Sequence, residues 1–154
     1  MKPTKKLLYP IAFLIIVTAF LVLPVGCANY TASADQPNHD CFATPLGGIS
    51  ERVGFFEFIF DYIEMGIFAF KVSDGDLRVA FNVCKNCYAS GRGYFIQVDD
   101  TVVCQQCRLY FSLDSIGTAG QPIPIADWDT GDGYLIIPYT AMAENVHWFL
   151  NWRR

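Results

Sequence analysis

The chain has 154 residues, 53% of them apolar and 17% charged, against about 25% charged in an ordinary globular domain, and this excludes a disordered chain. The formal charge is -4, and because Lys2, Lys5 and Lys6 lie ahead of residue 27 and no acid does, the remainder carries -7. Nucleic acid is disfavoured as a partner, since phosphate binding needs a basic patch.

Leu7 to Val25 runs 19 residues without a charge, which as a helix is about 28 Å long, near the hydrocarbon thickness of a bilayer. Pro10 and Pro24 bracket an uncharged core, Ile11 to Leu23, apolar except at Thr18, whose 13 residues match a secretory h-region. Leu23, Pro24, Val25, Gly26 and Cys27 resemble the lipobox of bacterial lipoproteins, whose cysteine is diacylated on sulfur, with Pro24 where leucine is usual. Residues 1–27 are therefore expected to be a signal peptide with lipidation at Cys27, an uncleaved membrane anchor, or a simple secretion signal. In each case the lysines keep the N-terminal end cytoplasmic and send the rest outside. The expected location is membrane-anchored and extracytoplasmic, in a bacterial cell envelope, with membrane lipid as one partner.

Residues 28–48 lack hydrophobic period and are rich in Ala, Ser, Thr, Asn, Asp and Pro, the composition of a tether. The domain is expected at 49–154. Phe55 to Phe60 and Ile67 to Val72 are predicted strands joined near Asp61 to Gly66, followed by an Asp74-Gly75 turn and a strand from Leu77 to Val83. Tyr94 to Val98 and Thr101 to Val103 form a second predicted hairpin around Asp99 and Asp100. A helical turn over Ser112 to Gly117, a Gly/Pro linker over Thr118 to Pro124, and an acidic loop from Asp127 to Asp132 come next. Tyr134 to Ile137 is the last predicted strand, and Thr140 to Leu150 a helix with Thr140 as N-cap. The fold class is mainly β (α+β): a small antiparallel sheet with a four-cysteine ribbon or knuckle and a C-terminal helix.

Six cysteines stand at 27, 41, 84, 87, 104 and 107, and the last four read C-x2-C, sixteen residues, C-x2-C. Two residues between cysteines let both sulfurs of one turn face a common centre. The predicted hairpin between the pairs folds the second turn back beside the first, so four sulfurs can converge near tetrahedral geometry. Such a centre suits zinc, a single iron, or a two- or four-iron cluster, and spacing does not choose among them. Two disulfides in an oxidising compartment, or a dithiol redox pair, are the competing readings. Tyr88 and Arg108 follow the pairs at positions where a knuckle often has Gly to take a positive φ.

DGDLRVAFNVCKNC followed by GRGYFIQVDDTVVCQQCRLYFSLDSIGTAGQPIPI resembles the FtrD-like family of membrane iron-sulfur proteins, a domain of unknown function. The resemblance runs from about Val53 to Phe149 and places the family's cysteines on Cys84, Cys87, Cys104 and Cys107. It implies an iron-sulfur cluster or iron as cofactor. It also implies a role beside a membrane iron permease or redox partner, because members are often encoded with, or fused to, components of bacterial ferrous iron uptake. Many members carry Gly-Gly-Cys-Asn before the Ile-Pro segment, whereas this chain passes from Gly120 and Gln121 directly to Pro122. Whatever that extra cysteine does is lacking here or falls to Cys41.

Other candidates point to structure. His147 beside Trp148, and His39, are expected as packed or surface histidines; Asp127, Asp129 and Asp132 lack the order of an EF-hand loop. The Phe-rich strands are expected as core. G-x-S-x-G, H-E-x-x-H and P-loop patterns are absent, so a conventional hydrolase is disfavoured and an electron carrier favoured over an enzyme. The leading function is metal-thiolate electron transfer or iron handling, with Arg92 and Arg108 tuning the potential. A structural zinc ribbon in an interaction module is the alternative.

Overall fold

Met65 to Phe70 is a six-residue run with no polar side chain, and a strand apolar on both faces belongs in the middle of a layered domain. The computed structural model, which describes residues 41–153 apart from 119 and 121, places it there. The segment 1–27, Cys27, His39 and the first part of the tether lie outside the described residues. β1 (Cys41–Pro45), β2 (Gly54–Phe60), β3 (Ile63–Lys71), β4 (Leu77–Phe81), β5 (Phe95–Val98), β6 (Thr101–Cys104), β7 (Tyr110–Ser112), β8 (Asp129–Gly131) and β9 (Tyr134–Pro138) precede one helix, α1 (Tyr139–Asn145). The strands form three small antiparallel sheets, ordered β1-β9-β8, β2-β3-β4 and β5-β6-β7, where the sequence suggested one. The class, mostly β with a C-terminal helix and clustered cysteines, is as expected.

The sheet β2-β3-β4 is the middle layer. From β3 and β4, Met65, Ile67, Ala69, Val79 and Phe81 pack into a first core with Leu135 and Ile137 of β9, α1 and the C-terminal Phe149 and Trp152. Phe68, Phe70 and Ala80 enter a second core with Phe95, Val102 and Ile116, and Cys84, Cys87 and Cys104 belong to this core as well. The two-residue period of the strand assigns alternate residues to opposite cores. The Phe-rich strands are thus core, as expected, although Phe55 stays 37% exposed at the edge.

The β2–β3 connection is tighter than the expected Asp61 to Gly66. Asp61 (φ 45) and Tyr62 (φ 65) make the whole turn, both positive as a type I′ hairpin requires, so Ile63 to Gly66 lengthen β3. Gly66 has a packing reason to be glycine: a Cβ there would meet the Trp152 ring at 2.5 Å.

Four further expectations are corrected. The end of the tether is ordered: β1 pairs with β9 along its length, Cys41 opposite Pro138 to Pro45 opposite Tyr134, because Phe42 finds β2 aromatics to cover, 4.7 Å from Phe58. The acidic loop contains β8, closed onto β9 by Asp132 (φ 51) and Gly133 (φ 83), an Asp-Gly hairpin masked by its acids. The end of the Gly/Pro linker lies alongside β4, where Phe81 N–H donates to the Ile123 carbonyl at 2.9 Å and Ile125 N–H to that of Val79 at 3.2 Å. The helix starts at Tyr139 without a side-chain cap, directly after Pro138 (φ -71); it gives way to a 3-10 turn over Val146–Phe149. Proline, its φ already locked, takes the cap position in place of Thr140.

Candidate metal centre

The first thiol turn leaves the end of β4 through Asn82 and Val83. Asn82 is buried, at 5% exposure, and links three segments: its Oδ1 accepts the Phe95 N–H at 2.7 Å, its carbonyl accepts Trp152 Nε1–H at 2.8 Å, and its N–H donates to the Gly66 carbonyl at 2.8 Å. β5 is thereby fastened beside the point where the first turn begins. Cys84 N–H donates to the Gly93 carbonyl at 2.6 Å and Cys87 N–H to that of Cys84 at 3.0 Å. A single 3-10 turn, Tyr88–Ser90, follows, with Gly91 (φ 73) as its left-handed cap.

The second turn closes β6. Cys104 sits opposite Phe95 in the β5–β6 ladder, its N–H donates to the Leu109 carbonyl at 2.9 Å, and its carbonyl accepts the Arg108 N–H at 3.0 Å. Arg108 itself takes the left-handed conformation, φ 63. On the first turn Gly91 takes it, three residues later than Tyr88, so the missing knuckle glycines are replaced in two different ways. Gln105 N–H reaches the Tyr94 carbonyl at 2.9 Å, tying the second turn to the residue next to Gly93, on which the first turn is fastened.

All four Sγ atoms, of Cys84, Cys87, Cys104 and Cys107, lie within 4.8 Å of one another. They are thiols and not disulfides, which corrects the disulfide reading for these pairs. Cys84 and Cys104 are fully buried and Cys87 is 8% exposed; Cys107 faces solvent. Cys41, buried at the start of β1, is not part of the group.

Burial pushes the Cys84 thiol far above the ordinary cysteine range despite the Asn86 N–H that bonds its sulfur. Burial, followed by the neighbouring Cys107 and Cys104 thiols, pushes Cys87 up to about 11. At Cys107 desolvation is the largest single effect and pushes upward, but the Leu109 N–H and the thiols of Cys87, Cys104 and Cys84, which donate to it, together outweigh it and hold it below the ordinary value. Negative charge is thus disfavoured on Cys84 and Cys87 and favoured on Cys107. A cation at the centre reverses this, since thiols ligate as thiolates. The donor set, four soft sulfurs with backbone N–H support on both turns, fits a thiophilic metal.

Residues C-terminal to the helix brace the first turn. Tyr88 meets Trp148 edge-on at 4.9 Å, Lys85 Nζ stands over the same ring at 5.9 Å, and Arg153 N–H donates to the Gly91 carbonyl at 2.7 Å. Arg92 and Arg108 are exposed on the two turns. His147 is exposed, its ring 4.4 Å from Trp148, and Asp127, Asp129 and Asp132 are exposed around β8. None of these joins the sulfur group.

Sequence reasoning missed Asn82, Gly93 and the tryptophan brace. At Gly93 a Cβ would lie 2.7 Å from the carbonyl carbon and oxygen of Cys87, a contact with backbone that no rotamer change relieves. Gly93→Ala is expected to push the first turn off its partner and lower bound metal per chain several-fold, whereas Gly48→Ala, with open space around it, leaves metal content unchanged. Elemental analysis of the two purified variants checks this.

No curated protein and no solved structure matches the chain. Residues 50–149 match the family described as membrane iron-sulfur containing protein FtrD-like, a span that takes in both thiol turns and the strands that hold them. The chain belongs to this FtrD-like family of membrane iron-sulfur containing proteins.

Proposed function

We propose that the protein is a membrane-tethered, extracytoplasmic metal-thiolate protein in which Cys84, Cys87, Cys104 and Cys107 hold iron. It serves electron transfer or iron handling beside a membrane iron-transport system. The observation that carries this reading is the convergence of four thiols within 4.8 Å; the family description supports iron and the membrane. The protein's own contributions are a dry pocket around three sulfurs and two N–H donors, Asn86 and Leu109, aimed at thiolate. Such bonds stabilise added negative charge and so favour the reduced state of a bound iron.

Attachment falls to residues 1–27, by acylation at Cys27 or as an uncleaved span; no helix among the described residues is long and apolar enough to cross a membrane. The domain proper is 49–154, to which β1 adds an edge strand.

The same sulfur geometry suits zinc, which binds such a site more tightly than ferrous iron, and a structural zinc ribbon is the second reading. The visible spectrum of full-length protein purified without oxygen separates them. Iron–thiolate charge transfer is expected to colour the protein strongly; a colourless protein with one zinc per chain would overturn the electron-transfer reading.

A further inference from the structure

The family description speaks of iron and sulfur, and the four cysteine sulfurs are placed too close together for a polynuclear cluster. Four sulfurs at about 2.3 Å from a single ion in a tetrahedron stand about 3.8 Å apart. In a two- or four-iron cluster, iron and sulfide fill the middle and each iron carries its thiolates outward, so sulfurs on different irons stand about 5.5 to 6.5 Å apart. Here no pair exceeds 4.8 Å. Closing on a single ion takes a contraction of about 1 Å or less, within the reach of χ1 rotations. Accepting a cluster requires the turns to separate.

The surrounding bonds oppose separation. The first turn is fixed to the segment before β5 by the Cys84 N–H to Gly93 carbonyl bond at 2.6 Å, and the second by Gln105 N–H to Tyr94 carbonyl at 2.9 Å, so adjacent residues of one backbone hold both turns. Gly93 rests against the Cys87 backbone with no space for even a methyl group. Cys84, Cys87 and Cys104 are packed in one core with Phe68, Phe95 and Val102, where added volume forces side chains off rotamer and shifts backbone.

We infer that this cysteine set binds one metal ion without inorganic sulfide, a single iron held by four thiolates. The inference rests on the reading that these four cysteines are the ligands. A one-ion site needs only metal and reduced thiols to fill, with no supply of sulfide.

The test is stoichiometry and reconstitution on the full chain. Protein purified without oxygen is expected to contain one iron per chain and no acid-labile sulfide, and its iron X-ray absorption to show sulfur neighbours without an iron–iron distance. Metal-stripped, reduced protein is expected to regain the same spectrum on addition of ferrous ion alone. Two or four irons per chain with matching sulfide, or recovery only when sulfide accompanies ferrous ion, overturns the inference while leaving the ligand assignment intact. Iron that persists in Cys84→Ser and Cys104→Ser variants overturns the ligand assignment itself. One zinc per chain without sulfide upholds the one-ion geometry and overturns iron.

Discussion

Cys104→Ser is expected to abolish metal retention and remove most of the domain's resistance to unfolding. Structural thiolate sites release about 10 to 16 kcal/mol on binding zinc in small peptides, comparable with the whole stability of a typical domain, about 5 to 15 kcal/mol. The effect is large here because the sulfur belongs to a core: Cys104 is fully buried and shares its cluster with Phe68 and Phe95. Thermal unfolding with and without chelator supplies the check. Without chelator the variant is expected to melt tens of degrees below the parent; with chelator the two should fall to within a few degrees of each other, because the substitution then removes little beyond one thiol. A variant that keeps both its metal and its melting temperature would show that the sulfurs are neighbours without being ligands.

Trp152→Ala is expected to cost about 3 to 5 kcal/mol, the usual range for truncating a buried aromatic. The ring fills the space above Gly66, and its Nε1–H satisfies the buried Asn82 carbonyl at 2.8 Å. Trp152→Phe keeps most of the packing and loses the hydrogen bond, for about 0.5 to 1.5 kcal/mol plus part of the desolvation of that carbonyl. Urea titration followed by Trp128 and Trp148 fluorescence measures both. Equal stability of the two variants would mean that the hydrogen bond, and not the ring, holds this end of the chain. Trp152 lies beyond the matched span 50–149.

The legible parts of the fold were those governed by local rules. The C-x2-C pairs and the Asp99-Asp100 hairpin between them placed four sulfurs together because a two-residue turn leaves little freedom in register, and the ladder pairing Phe95 with Cys104 follows from it. The Asp74-Gly75 turn was legible for the same reason, with Gly75 at φ 91. The misread parts depend on long-range partners. Cys41 to Pro45 carries no strand signal of its own and is a strand only because β9 is present to pair with it. Ile123 to Ile125 resembles linker until β4 offers its carbonyls and N–H groups. At the site, Asn82 and Gly93 are common residues whose roles arise from contacts 13 residues away, in the case of Phe95 N–H on Asn82, or from a close approach of backbone at Cys87. Glycine between Arg92 and Tyr94 signals a turn equally well and does not announce what it touches.

The unequal exposure of the four sulfurs has a kinetic meaning. With Cys84, Cys87 and Cys104 in the core and Cys107 at the surface, an incoming chelator or small thiol can displace the ligands in only one order, beginning at Cys107. Metal loss should therefore follow the concentration of the competitor at first and then level off, once departure of the first sulfur is fast and opening of the core becomes the slow step. A thiol reagent should mark Cys107 long before its three neighbours. The centre has one corner through which an ion enters or leaves, and the rate at which that corner opens sets how long the protein keeps what it holds.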